Sequence, residues 1–148
     1  MTRLQMDTSL IARICCGDAS AMDFLANHWS PFVHAVDDVE DQPTTSRFRM
    51  GIYLRAAVLY SHPFYLAHLL QLRQVVINLT VMYADVVEWE KSDTPWKREY
   101  ADHNRHCGME MVIAIASICG GPEHALLISQ EQRELCYSDH HNREGKAV

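Results

Sequence analysis

The sequence has no excess of basic charge, few strand-forming stretches and no paired-cysteine motif, and each shortage excludes a class of protein. It contains 13 lysine and arginine residues against 19 aspartate and glutamate residues, so the formal net charge is −6. Because phosphate neutralisation requires a basic face, we expect no general nucleic-acid binding. The five cysteines are odd in number, two of them are adjacent (Cys15 and Cys16), and no CxxC motif occurs. This pattern argues against a disulfide framework or a zinc knuckle.

Long apolar runs and common catalytic motifs are also missing. The uncharged stretch from Met111 to Pro122 is far shorter than the roughly 20 residues that cross a bilayer. The first residues lack the charged-then-apolar pattern of a signal peptide. No Walker loop, GxSxG or HExxH motif is found. We therefore expect a cytoplasmic protein without membrane contact.

Helical periodicity and helix-end signals cover nearly the whole chain. With 148 residues, 48% of them hydrophobic, the chain fits one domain spanning residues 1–148. The sequence predicts caps at Asp7 or Thr8 and at Asp18, helix ends at Gly17 and Gly120-Gly121, and a first helical position at Pro95. A kink or split is expected at Ser30-Pro31, and a capping box at Ser129 and Gln132 predicts the start of the last helix. The expected helices cover residues 7–16, 18–41, 46–61, 64–90, 95–119 and 129–141. The sequence therefore predicts an all-α, single-domain antiparallel bundle of five to six helices.

The fourth predicted helix is apolar nearly all round, apart from a narrow polar strip. At 100° per residue, Gln71, Gln74, Asn78 and Asp85 fall within about 60° of one another. Buried polar groups without partners cost about 1–3 kcal/mol, and charges cost more. The strip is therefore either the solvent-facing side of the helix or the lining of an internal polar site.

The fifth predicted helix carries a second polar stripe on an apolar background. Glu99, Asp102, His103, His106 and Glu110 share one side, and Ser117 extends that side further. The i, i+4 spacing of His106 and Glu110 would let both side chains bind one ion from adjacent turns. A salt-bridged surface stripe explains Glu99 and Asp102 equally well, but it explains Glu110 less well.

A third group of polar residues lies on the second predicted helix. His34, Asp37, Asp38 and Asp41 belong to a string with a DDxxD pattern, and aspartates at this spacing can hold magnesium. The same periodicity turns His34, Asp38 and Asp41 away from the apolar face. A solvated surface is therefore the favoured interpretation, and these four rank as secondary metal ligands.

Two short acidic motifs resemble those of the all-α nucleoside triphosphate pyrophosphatases, the MazG-like and dimeric dUTPase-like group. Asp85-Val-Val-Glu88 and Glu99-Tyr-Ala-Asp102 are similar to the ExxE and ExxD motifs that this group carries on successive helices. The first motif departs from the family pattern by beginning with Asp. The resemblance, which covers under a fifth of the chain, implies a helical fold and carboxylates clustered around magnesium.

Two functions follow as alternatives. The first is a Mg²⁺- or Mn²⁺-dependent hydrolase of a nucleotide or other phosphorylated small molecule, in which the metal polarises phosphoryl oxygens and activates water. Its metal ligands would be Asp85, Glu99, Asp102 and Glu110, its catalytic residues His106 and Glu110, and its substrate-binding residues Asn78, Arg98 and Arg105. The second is a non-enzymatic helical interaction or regulatory module, possible as a homo-oligomer, whose polar stripes are structural or subunit contacts.

Overall fold

The computed structural model describes the backbone of residues 6–144 and the side chains of residues 6–138, and every regular element in this part of the chain is helical. The predicted all-α fold is confirmed. The elements are α1 (Thr8–Ile14), α2 (Ala19–Asp23), a π-helical segment (Phe24–Trp29), α3 (Ser30–Asp41), α4 (Ser46–Tyr60), α5 (Pro63–Ala67), α6 (Leu69–Trp89), α7 (Pro95–Asn104) and α8 (Met109–Glu144).

The N-caps of the first two helices and the glycine between these helices lie where the sequence predicts them. Asp7 caps α1 and Asp18 caps α2, because each carboxylate accepts a backbone N–H from the first helical turn. Between the two helices Gly17 has a φ of 75°, a left-handed conformation that favours glycine at the end of a helix.

Pro31 does not split the second predicted helix. α2, the π-helical segment and α3 form one continuous run, and the N–H of Ser30 reaches back five residues to the carbonyl of Leu25. The wider π-helical turn accommodates the missing proline N–H and moves the ring away from the carbonyls of the preceding turn. Of the two predicted outcomes, a kink or a split, the split is therefore wrong, and the helix continues through a π-helical segment.

One apolar core joins the N-terminal helices to α6 and α8. From α6 it takes Leu72 and Leu79, which face inward two turns apart. Its largest fully buried side chains are Ile14, Phe24, Leu25, Leu59, Leu72, Met111, Ile115 and Ile128. α6 packs against both α7 and α8, so the fourth and fifth predicted helices do face each other.

The fifth predicted helix is interrupted. α7 ends at Asn104, and residues 105–108 form a turn in which the Cys107 N–H donates to the Asn104 carbonyl at 3.1 Å. His106 therefore lies in this turn, not one helical turn before Glu110 on the same helix. The prediction that these two residues lie on adjacent turns of one helix is therefore wrong.

Gly108 explains the interruption. Glycine is a poor helix former, and a β-carbon at this position would lie 3.3 Å from a methyl group of Val33. The Gly108 carbonyl also accepts the indole N–H of Trp29 at 3.3 Å. The turn is thus held against the π-helical segment.

The chain reverses within α8 at Gly121, whose φ is 85° and ψ 176°. Glu110 and Arg133 are 23 residues apart, which corresponds to about 35 Å along a straight helix. Their side chains instead form an ion pair of 2.6 Å. An N-terminal arm, residues 109–120, and a C-terminal arm, residues 122–144, therefore pack antiparallel.

This reversal confirms one predicted boundary and corrects another. The expected helix end at Gly120-Gly121 is present, with Pro122 at the first position of the following arm, where proline is favoured. The last helix does not begin at Ser129. Ser129 and Gln132 lie in mid-helix, and Gln132 is buried, so they form no N-terminal capping box.

By length and composition alone, the helical stretch Pro95–Ser138 could cross a membrane. Within it Met111, Ile115 and Ile128 are fully buried in the core, whereas Leu126 and Leu127 are exposed. The reversal at Gly121 also divides it into two antiparallel arms.

Candidate functional site

Arg105 lies at the centre of a cluster of carboxylates from separate helices. Its guanidinium group donates to both carboxylate oxygens of Asp41 at 2.9 Å and lies 3.5 Å from Oδ1 of Asp37. It also contacts Oε2 of Glu90, just beyond the end of α6. This Arg105 cluster ties α3 and α6 to the turn between α7 and α8.

Tyr83 of α6 completes the Arg105 cluster. Its hydroxyl donates to Oδ1 of Asp37 at 3.0 Å. Burial and the neighbouring Asp37 charge raise the pKa of Tyr83 above its ordinary value, so this hydroxyl stays protonated and keeps donating. Burial lowers the pKa of Arg105, but the hydrogen bond to Asp41 and the surrounding carboxylates outweigh it, and the net shift is upward.

The Arg105 cluster pairs two groups that the sequence suggested for different ligands. Asp37 and Asp41 are secondary metal candidates, and Arg105 is a candidate for substrate phosphate, yet they neutralise one another. Charge-assisted hydrogen bonds of this kind hold elements together. The remaining members of the acidic string, His34 and Asp38, are half-buried on α3.

The structure does not assemble the four primary metal candidates. Asp85 is half-buried on α6, Glu99 and Asp102 are exposed on α7, and Glu110 is paired with Arg133. Among the side chains of residues 6–138, no three of these four bring ligand atoms within 4.8 Å of one another. The two motifs of the pyrophosphatase resemblance do lie on neighbouring helices, since α6 packs on α7.

The remaining predicted site residues are Asn78, Arg98 and His106, and each contacts a group outside the predicted site. The Asn78 side-chain oxygen accepts from Gln74 at 3.0 Å, and Arg98 donates to the Ser92 carbonyl at 2.7 Å. The ring of His106 packs edge-on against that of Tyr137, with ring centres 6.2 Å apart.

The polar stripes of α6 and α8 meet at a shallow pocket. His68 and Gln71 line one side of this pocket of about 410 Å³, and Ala114, Ser117 and Ile118 line the other. Gln71 and Ser117 are therefore the stripe members that the fold places across a common space. No carboxylate lines this pocket, so it lacks the anionic oxygen ligands that usually hold a hard cation.

Sequence reasoning missed a group formed by Asp23, His28 and His62. The ligand atoms of Asp23, His28 and His62 all lie within 4.8 Å of one another. Nε2 of His62 is 2.9 Å and Nε2 of His28 is 3.4 Å from Oδ2 of Asp23. Two histidines and a carboxylate are donors that first-row transition metals accept. The available sequence signal was the position of His62 directly before Pro63, typical of a helix cap.

The hydrogen bonds of His62 fix its tautomer and oppose metal ligation. Nδ1 of His62 faces the backbone N–H of Phe64 at 3.1 Å, and a backbone N–H can only donate. Nδ1 therefore accepts, so the neutral ring carries its proton on Nε2 and donates it to Asp23. A metal requires the lone pair that this proton occupies. The trio fits a hydrogen-bonded cluster better than a metal centre.

The outward face of α6 is a second feature that sequence reasoning did not single out. Its members alternate in spacings of four and three residues, the repeat of helix-pairing seams. Leu70 is 86% exposed and Val81 62% exposed, and the other members are exposed as well. This outer seam consists of Leu70, Gln74, Ile77, Val81, Ala84 and Glu88.

The outward face of α4 is also apolar, but it is basic. Tyr53 and Leu54 are 69% and 71% exposed, whereas Leu59 on the opposite side is fully buried. This α4 face consists of Met50, Tyr53, Leu54 and Val58 together with Arg47 and Arg55, whereas Arg49 lies about 180° round the helix from Val58.

Comparisons with family models, with curated proteins and with solved structures find no match to this chain.

Proposed function

We propose that this chain is a non-catalytic helical interaction module that forms a homodimer through the outer seam of α6. The observation that carries the proposal is the exposed heptad spacing of the seam. An amphipathic surface helix normally turns one apolar face inward, as α6 does with Leu72, Leu79 and Val86. The second apolar face of α6 has no such role inside the monomer.

The proposed partner is a second copy, because the outer seam is self-complementary about its midpoint. In an antiparallel two-fold pair, Ile77 lies opposite Val81 of the other copy and Val81 lies opposite Ile77. Gln74 then meets Ala84, and Leu70 meets the aliphatic stem of Glu88. Two-fold symmetry requires reciprocal contacts of this kind.

The antiparallel arrangement also avoids the penalties of the parallel one. A parallel pair in register would bring Glu88 against Glu88 and Gln74 against Gln74. Like charges at a seam oppose association, whereas a polar group opposite a small residue is tolerated and specifies register.

The length of the seam indicates a dimer of moderate strength. From Leu70 to Glu88 the helix rises about 27 Å, and standard stable interfaces bury roughly 800 Å² on each partner. One helix face of this length supplies only part of that area. We therefore expect a dissociation constant on the order of micromolar.

The contacts of two predicted site residues, the substrate-binding Arg105 and the catalytic Glu110, support a module over the hydrolase. Arg105 is paired with Asp37, Asp41 and Glu90, and Glu110 is paired with Arg133. These ion pairs compete with substrate phosphate or metal for the same groups.

The test is the molar mass in solution, measured by sedimentation velocity from about 1 to 100 µM. The wild type should shift towards twice the 17.0 kDa of the chain. Val81→Glu should remain monomeric with an unchanged circular dichroism spectrum. Leu126→Glu is the matched control, because Leu126 is 73% exposed on α8 outside the seam. A wild type that stays monomeric at 100 µM, or a seam variant that still dimerises, would contradict the proposal.

The same preparations test the hydrolase. Binding to the folded state raises the melting temperature by linkage. We expect the melting temperature in millimolar Mg²⁺ or Mn²⁺ to equal that in EDTA. A metal-dependent rise of several degrees, lost in Glu110→Gln, would favour the hydrolase over the module.

A further inference from the structure

Charge is segregated along this chain. Residues 42–84 contain four arginines and no acidic residue. The other nine basic and nineteen acidic residues leave the rest of the chain at −10. The basic stretch includes all of α4, so the α4 face is a positive surface on an acidic protein.

The arginines of the α4 face are not neutralised within the fold. Among residues 6–138, Arg47 and Arg55 form no ion pair with a carboxylate. In contrast, Arg13, Arg105 and Arg133 are each paired with an acidic side chain. The α4 face therefore presents two unpaired cations to solvent.

A pocket opens beside these cations. It has a volume of about 250 Å³ and is lined by Leu54, Val58 and Arg55 of α4 together with Asn27 and His28. A pocket of this kind receives an apolar anchor side chain, while the arginine at its edge receives a carboxylate.

We propose that the α4 face binds an acidic amphipathic helix of a partner protein. The apolar side of that helix would lie on Leu54 and Val58, and its carboxylates would meet Arg47 and Arg55. Helix-in-groove recognition combines these two terms, with apolar anchors for affinity and charge for orientation and rate.

Two other occupants fit less well. A bilayer surface has no side chain to fill the pocket, and the −10 charge of the remaining chain opposes approach to anionic lipid. A second copy of this chain lacks a free acidic helix in α3, because Asp37 and Asp41 are engaged by Arg105. This surface is separate from the outer seam, so the inference does not rest on dimer formation.

The test uses a fluorescent synthetic helix of leucine and glutamate, and a matched peptide with lysine in place of each glutamate. Fluorescence anisotropy should show micromolar binding of the acidic peptide that weakens as salt is raised, and no binding of the basic peptide. The double variant Arg47→Glu, Arg55→Glu should weaken binding by at least about tenfold. Arg73→Glu is the control, because Arg73 is exposed in the same basic stretch but lies on α6.

The remaining measurements distinguish this proposal from dimer formation and from membrane binding. Val81→Glu should still bind the acidic peptide, so failure of the dimer and failure of this proposal are distinguishable. Absence of acidic-peptide binding at 100 µM, or equal binding of the basic peptide, would overturn the proposal. So would co-sedimentation with phosphatidylserine vesicles that is lost in the double variant, or loss of dimer formation in that variant.

Discussion

The carboxylate of Glu110 lies 2.6 Å from the guanidinium of Arg133, although 23 residues separate them along α8. Only a reversal of the chain permits this contact, and the reversal occurs at Gly121. The two arms of α8 thereby bring Ile115 and Ile128 into one core. The hairpin also occupies Glu110, the residue on which a metal-dependent reaction would depend most.

Gly121→Ala should destabilise the protein by about 1–3 kcal/mol, because a φ of 85° with a ψ of 176° is a conformation nearly restricted to glycine. Urea unfolding followed by circular dichroism measures the change. Gly51→Ala is the control: Gly51 lies within α4 with open space around it, so alanine there should stabilise by about 0.5–1 kcal/mol. Equal effects of the two substitutions would argue against the reversal.

Arg105→Gln should lower the free energy of unfolding by about 1–3 kcal/mol, since it leaves Asp37, Asp41 and Glu90 without their cation in a partly buried setting. Arg47→Gln, at an exposed and unpaired position, should change it by less than about 0.5 kcal/mol. Chemical denaturation at low and high salt measures both. An Arg105→Gln variant as stable as the wild type would show that the cluster contributes nothing net.

The pKa of Asp23 is lowered from its ordinary 3.8, chiefly by the hydrogen bond from Asn27 and then by that from His62. The ionised Asp23 carboxylate therefore stabilises the folded protein fully above about pH 4, and this stabilisation is lost as the pH falls through the lowered pKa of Asp23. Asp23→Asn should narrow the difference in stability between about pH 6 and pH 2. Carbon-13 NMR titration of the carboxyl group reports the pKa directly, and an unshifted value would contradict the hydrogen-bonded geometry.

Nitrogen-15 NMR should find His62 as the tautomer protonated at Nε2, because Nδ1 accepts the Phe64 N–H. Zn²⁺ at equimolar concentration should leave the His62 signals in place. Tight zinc binding that is lost in both His28→Gln and His62→Gln would restore the metal-centre interpretation of the trio.

Cys16 should react first with a disulfide reagent in the native protein, because it is the exposed cysteine among the described residues. Burial raises the pKa of Cys15 to about 12 and that of Cys119 to about 11, so these thiols stay protonated near neutral pH. Cys16→Ser should remove the fast phase, and Cys136→Ser should leave it unchanged. A fast phase that persists in Cys16→Ser would mean that a buried thiol becomes accessible in the native state.

Local signals in the sequence predicted much of the helix layout. Caps at Asp7 and Asp18, glycines at Gly17 and Gly121, and a proline at Pro95 each act within one turn of the chain, so their effect does not depend on distant residues. The interruption at residues 105–108 was not predictable in this way. It depends on the approach of Val33 and Trp29 to Gly108, more than seventy residues away.

The candidate sites also differ in whether they depend on local spacing or on contacts between distant residues. The outer seam of α6 was readable from spacing alone, since a repeat of four and three residues is a local property of a helix. Only the tertiary structure decides that this seam is exposed and that Leu72 and Leu79 are buried, because the core covers one face of α6. The trio of Asp23, His28 and His62 unites residues up to 39 positions apart, and no periodicity encodes such a meeting.

The polar strip of α6 was determined by the sequence, because 100° per residue places side chains around a helix whatever lies beside it. The stripe of the fifth predicted helix was not, because the turn at residues 105–108 separates Glu99 and Asp102 on α7 from Glu110 on α8. The partners of the charged residues were decided only by the tertiary structure. Glu110 faces Arg133 because the chain reverses at Gly121, and Arg105 faces the acids of α3 because the turn after α7 points it there. Charges attract through space and not along the chain, so only the fold could assign a partner to each.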